Sequence, residues 1–201
     1  MRNLGPILVL VLALISGLPN EARASFIGAY DVANWTTTLF GTPPGGGGSV
    51  DTLGAPDSIT LLGGNSGCSV SGFGCSVFFS IHAPEAGRVH FHWEYLTTDV
   101  DGPSLDKFFF TSQGAISLNQ LSNDSGPERQ HGDAIFPVVP DMAFGFVLAC
   151  TDCVLGPAQV TISEFSGPAL STVPEPGSVL LLGSSLAGLG YAARRKQRGE
   201  N

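Results

Sequence analysis

The chain has 201 residues, room for one ordinary domain plus accessory segments. Only 13% of residues are charged, about half the usual share, and between Ser25 and Val173 14 acidic residues face 3 basic ones, a net of −11. Like-charge repulsion excludes nucleic acid and an anionic membrane surface as partners of this acidic middle, and leaves cations, polysaccharide hydroxyls and basic partners.

The other basic residues are Arg2, Arg23, Arg194, Arg195, Lys196 and Arg198, all at the ends beside apolar segments. Residues 1–24 read as a secretory signal peptide, an N-terminal signal helix. Arg2 supplies the positive start, Ile7–Ile15 is an unbroken apolar core, and Leu18-Pro19-Asn20 breaks it. Ala22-Arg23-Ala24 then fits the small-x-small rule, which places signal-peptidase cleavage between Ala24 and Ser25. An apolar core this short does not span a bilayer. The competing reading is a buried first helix of the domain.

Residues 25–170 are expected to form one β-rich domain. Ser76–Ile81, Arg88–Tyr95, Phe108–Thr111, Phe144–Ala149 and Ala158–Phe165 are short runs rich in Val, Ile, Phe and Thr, and read as strands. In Arg88–Tyr95 the apolar Val89, Phe91, Trp93 and Tyr95 alternate with polar residues, the pattern of a strand with one buried face. Val160, Ile162 and Phe165 belong near the core as well, although Phe165 breaks strict alternation. Turn signals separate the runs: Pro43-Pro44 with Gly45–Gly48, Gly63-Gly64-Asn65, Pro84-Glu85-Ala86-Gly87, Asp101-Gly102-Pro103 and Ser125-Gly126-Pro127. Many short strands between Gly/Pro turns predict an all-β fold, an antiparallel β-sandwich of jelly-roll-like design.

Four cysteines, Cys68, Cys75, Cys150 and Cys153, allow three pairings. In an exported protein they are expected to form disulfides. Cys68–Cys75 and Cys150–Cys153 are favoured, because each pair brackets a turn-like segment between strand-like runs. Cys150-Thr151-Asp152-Cys153 is also a C-x-x-C, but a redox dithiol needs a helix N-terminus to stabilise its thiolate, and none is expected here. A zinc site from all four is disfavoured by the loose spacing of the first pair.

Asp99, Asp101 and Asp106 fall in one loop, downstream of Glu94. Carboxylates on a flexible turn suit calcium, though the loop lacks the third Asp and the terminal Glu of an EF-hand. The alternative is a solvated acidic turn that caps strands. His90, His92 and Glu94 share a strand face, the geometry of a metal site, yet Val89, Phe91 and Trp93 claim the buried side. Catalysis finds little support, for there is no G-x-S-x-G, no H-E-x-x-H and no defensible Cys/His arrangement, and a secreted hydrolase with an unrecognised site is the third alternative. Trp35, Tyr30 and Trp93 are candidates to stack on sugar faces, as a carbohydrate-binding module would use them.

The C-terminal segment 171–201 is the most specific. Val173-Pro174-Glu175-Pro176 precedes Gly177–Ala193, an uncharged stretch that as a helix spans about 25 Å, just short of a hydrocarbon core. Arg194-Arg195-Lys196-Gln197-Arg198 follows, and the positive-inside rule keeps this cluster cytoplasmic with the domain outside. Pro-Glu-Pro, an apolar helix and a terminal basic cluster, in that order, resemble the PEP-CTERM sorting signal of Gram-negative bacteria. The alternative is a plain tail anchor after a Pro-rich linker.

The resemblance implies a membrane protease-transpeptidase of the exosortase type that recognises Pro174-Glu175-Pro176 and releases or transfers the domain. The chain would be held in the inner membrane by its C-terminal helix, then delivered to the outer envelope or an extracellular matrix. Association with exopolysaccharide is the expected partnership. Trp93–Phe110 and Leu155–Phe165 also weakly resemble a sandwich module found with this tail, which bears on the fold and not on an activity.

Overall fold

Residues 25–41, 48–65, 75–113, 117–151 and 155–168 are described by the structure, a computed structural model. The chain divides into two units, Met1–Ala169 and Leu170–Asn201, and every described residue belongs to the first. The expected signal peptide (1–24), the sorting tail with its membrane helix (177–193), Cys68 and Cys153 lie outside the described residues. Among those described, no helix is long and apolar enough to cross a membrane.

The described strands are β1 (Thr36–Phe40), β2 (Ser49–Asp51), β3 (Ser58–Leu62), β4 (Cys75–His82), β5 (Gly87–Thr97), β6 (Asp106–Ser112), β7 (Ser117–Gln120), β8 (Arg129–Val138), β9 (Ala143–Cys150) and β10 (Ala158–Ser166). They form two five-stranded sheets, in the order β1-β4-β9-β6-β7 and β2-β3-β10-β5-β8. All pairings are antiparallel. Val77, Phe79, Phe108, Phe110, Phe144 and Phe146 of the first sheet share one core with Ile59, Leu61, Val89, Phe91, Val160 and Ile162 of the second. The architecture is an antiparallel β-sandwich.

Period-two alternation produces this core. Along β5, Val89, Phe91, Trp93 and Tyr95 are buried, while His90 and His92 are half-buried and Glu94 is exposed. β10 follows the same rule through Val160 and Ile162 and then departs from it. The register shifts between Ser163 and Ser166, and Glu164 adopts φ 50°. This extra residue turns Phe165 back inward, where it stacks on Phe26 at 4.8 Å. Aromatic packing dominates elsewhere too: Phe110 lies on Phe136 at 4.2 Å and 3°, and Trp35 on Phe79 at 4.8 Å and 9°. Each fully buried phenylalanine contributes about 1.5–3 kcal/mol through removal of apolar surface from water.

All five expected strands are present. The strands not anticipated are β1, β2, β3, β7 and β8. β1 exposes every residue, and β2 has only three. β8 is an edge strand that buries only Ala134 and Val138 and carries Gly132 and Pro137, residues that read as interruptions. β3 did carry a signal, for Ile59 and Leu61 alternate into the core. β9 is buried nearly throughout, because Val147 and Ala149 join Phe109 in a second apolar cluster, with Phe78 and Leu118 packed against it.

Candidate functional site

At one end of the second sheet, β5 and β8 run side by side with Leu96 opposite Arg129, Tyr95 opposite Gln130 and Trp93 opposite Gly132. Two Gly-Pro turns meet there. Asp101-Gly102-Pro103 forms a 3-10 turn between β5 and β6, and Ser125-Gly126-Pro127 leads into β8. Between them opens a cleft of about 780 Å³, bordered by Leu96, Val100, Asp101, Pro103, Glu128 and Arg129. An adjoining groove of about 390 Å³ shares Gly126, Pro127 and Arg129 with it and reaches Trp93, Asn123 and His131. The two make one open trough.

Its floor is held by side chain to backbone bonds. Gln130 Oε1 accepts from Asn123 N at 2.7 Å, and its Nε2 donates to Asn123 O and Pro127 O at 2.9 and 3.0 Å. Ser125 N donates to Asn123 Oδ1 at 3.0 Å. Lys107 Nζ donates to Asp124 Oδ2 at 2.8 Å and Gln120 Nε2 donates to Asp124 Oδ1, so the carboxyl of Asp124 lies below its ordinary range, chiefly through the Lys107 bond. Trp93 is 6% exposed because Gly132 makes room for it; a Cβ there would meet the indole at 3.1 Å. These bonds tie the 123–130 margin of the trough to itself and to Lys107 and Gln120.

The expected calcium loop is arranged differently. Asp99 and Asp106 are buried, whereas Asp101 is exposed on the turn. Thr97 Oγ1 donates to Asp106 Oδ2 at 2.9 Å and accepts from Asp99 N at 3.1 Å, and Asp99 Oδ1 accepts from Asp101 N at 2.7 Å. Asp106 O accepts from the Tyr95 hydroxyl at 2.7 Å. Burial first, and the Asp106 carboxylate second, raise the Tyr95 phenol well above its ordinary range. Strand ends and turn backbone thus bond one oxygen of each buried carboxylate, and no three His, Cys, Asp or Glu side chains among the described residues are grouped to hold a metal ion. The same holds for His90, His92 and Glu94. His92 Nδ1 instead lies 3.0 Å from Asp133 Oδ1 across the strand pair.

Cys75 and Cys150 sit directly opposite one another on β4 and β9 and are buried together. The expected pairings reach Cys68 and Cys153, outside the described residues. The proposal that Tyr30 and Trp35 present faces to sugars is overturned: they are 3% and 7% exposed. Trp35 Nε1 donates to Tyr30 O at 3.0 Å and the Tyr30 hydroxyl to Pro168 O at 2.9 Å, and burial pushes that phenol up to about 12. Trp93 is mostly core as well, yet lines the groove. Sequence reasoning missed Glu128 and Arg129; their only signal was a charge pair just after a Gly-Pro turn in a chain poor in charge.

In the terminal unit, residues 172–196 match the profile of the PEP-CTERM protein-sorting motif. The chain carries a PEP-CTERM sorting signal. A chain with this signal is exported and sorted through its tail. No curated protein matches its sequence. Among solved structures it is similar to the enzymatically active domain of bacteriophage CBA120 tailspike protein 4, with 13% identity and a TM-score of 0.37, over 71% of this chain and 21% of that one. A family 35 carbohydrate binding module from Clostridium thermocellum gives 11% identity, a TM-score of 0.27, and 63% and 97% coverage. A module, CBM6cm-2, from Cellvibrio mixtus lichenase 5A, in complex with cellotriose, gives 8%, 0.29, and 65% and 87%. The chain thus spans about a fifth of the length of that tailspike chain. Scores this low say nothing of what it binds.

Proposed function

We propose that this chain is a non-enzymatic surface or extracellular-matrix protein, anchored in the inner membrane by its tail, processed there by an exosortase-type enzyme and delivered to an exopolysaccharide-rich matrix. The observation that carries the reading is the sorting motif at 172–196. Two prolines around Glu175 keep the recognition segment extended and remove backbone donors, so it can enter a protease cleft without folding. The basic cluster from Arg194 to Arg198 holds the C-terminus in the cytoplasm while the acidic domain stands outside. On this reading signal peptidase removes 1–24 and the cysteines pair after export. The two sheets fit a jelly-roll-like sandwich that acts by association.

Glu175→Gln in the producing organism tests it. Wild type is expected as a shortened form away from the inner membrane, co-fractionating with the matrix, and the variant as a longer, membrane-bound form. Identical full-length, membrane-bound bands from both would refute processing at this motif.

A second reading, in which the sandwich is itself a carbohydrate-binding module, is favoured by the open trough beside Trp93.

A further inference from the structure

We propose that the trough at the β5–β8 end binds a neutral polysaccharide along its chain, with Asp101, Glu128 and Arg129 holding the sugar hydroxyls. The inference rests on the carbohydrate-binding reading above and gives it a site and a ligand class.

Shape is the first argument. Cleft and groove share Gly126, Pro127 and Arg129, so they run into one another along the 123–131 margin and stay open to solvent. An open channel accepts the middle of a polymer, where a closed pocket would select a chain end or a small molecule.

Chemistry is the second. A sugar ring presents apolar C–H faces and a rim of hydroxyls. The trough offers Leu96, Pro127 and the 74%-exposed Val100 for the first. For the second, Asp101 and Glu128 carboxylates accept and the Arg129 guanidinium donates, each a charge-assisted bond. None of these three side chains has a hydrogen bond or ion pair to a described residue, whereas nearby Asp124 is taken by Lys107. Trp93, nine-tenths buried, lines the far end, and its indole N–H also has no acceptor among the described residues.

Charge selects within the class. Asp101 and Glu128 border the cleft against one arginine, Asp124 being paired with Lys107, in a region that carries −11 overall. Uronate or sulfated polymers are repelled, and neutral ones are not. Preorganisation completes the case. The Gln130 clamp and the Lys107–Asp124 pair fix the loop beforehand, so a bound chain pays little for ordering it.

The test is native affinity electrophoresis of the full-length protein in mild detergent. Gels contain neutral glucan, mannan, xylan or galactan, or polygalacturonate as the anionic control. Wild type is expected to be retarded by at least one neutral polymer and not by polygalacturonate. Arg129→Ala and Glu128→Gln should each weaken that binding about five- to tenfold, the loss of one charge-assisted contact. His90→Ala, on the outer sheet face away from the trough, should bind as wild type, and melting curves check that every variant is folded. No retardation by any neutral polymer, retardation by polygalacturonate alone, or wild-type affinity in both trough variants would each overturn the proposal. The matrix reading fails separately, through absence of the protein from the matrix fraction of producing cells.

Discussion

Gly145 shows how one residue governs the spacing of two strands. It stands in β9 between Ser80 of β4 and Thr111 of β6. A Cβ at this position would lie 2.1 Å from Phe79 O and 2.7 Å from Ser80 Cα, and both are backbone atoms that a side-chain rotation cannot move. Gly145→Ala is therefore expected to cost about 3 kcal/mol or more in urea denaturation, since the central strand pair must part. A loss under about 1 kcal/mol would show that the sheet widens freely there. Residue-level reasoning from the sequence succeeded where a side chain follows a strand's period, as with Val89, Phe91 and Tyr95. It failed at Tyr30 and Trp35, because an aromatic outside a strand run has no period to say which way it faces; here both fall into the core beside Phe144.

Elements follow the same division. β5 was legible because it is apolar at every second position, and β9 because it is a continuous apolar run. β8 was not, because an edge strand needs only one buried neighbour and tolerates a proline whose missing N–H faces no partner. The segment from β7 to β8 owes its shape to side chains that no local pattern reveals, among them the Lys107–Asp124 pair. Asp124 has its carboxyl lowered by Lys107, so the pair stabilises the fold above the unfolded carboxylate value of about 3.9 and loses that contribution as pH falls through the lower folded value. Asp124→Asn should thus melt about 1–3 °C below wild type at neutral pH, a modest gap because the pair is partly exposed. The gap should close in melts taken near pH 2. If it persists there, the side chain acts through packing and not through its charge.

For the whole molecule, Asp99 and Asp106 lie buried within the sandwich and Asp101 faces solvent on the turn. Millimolar calcium is accordingly expected to shift the melting temperature by less than about 1 °C relative to chelator, as no three acidic side chains among the described residues are grouped to hold the ion. A calcium-induced rise of several degrees would mean that the acidic turn rearranges into a site. What the sequence by itself determined is the sorting address and the all-β class. An address is read from a short linear segment by apolar length and flanking charge, and strand alternation depends on neighbours two residues apart, so both survive without knowledge of the fold. What only the tertiary structure decided is the trough. Asp101 and Arg129 are distant along the chain and border one cleft because β5 pairs with β8 in a register that sets Leu96 against Arg129 and brings two turns to the same end of one sheet. Register is settled by the packing of the entire core, and no local stretch of residues carries it.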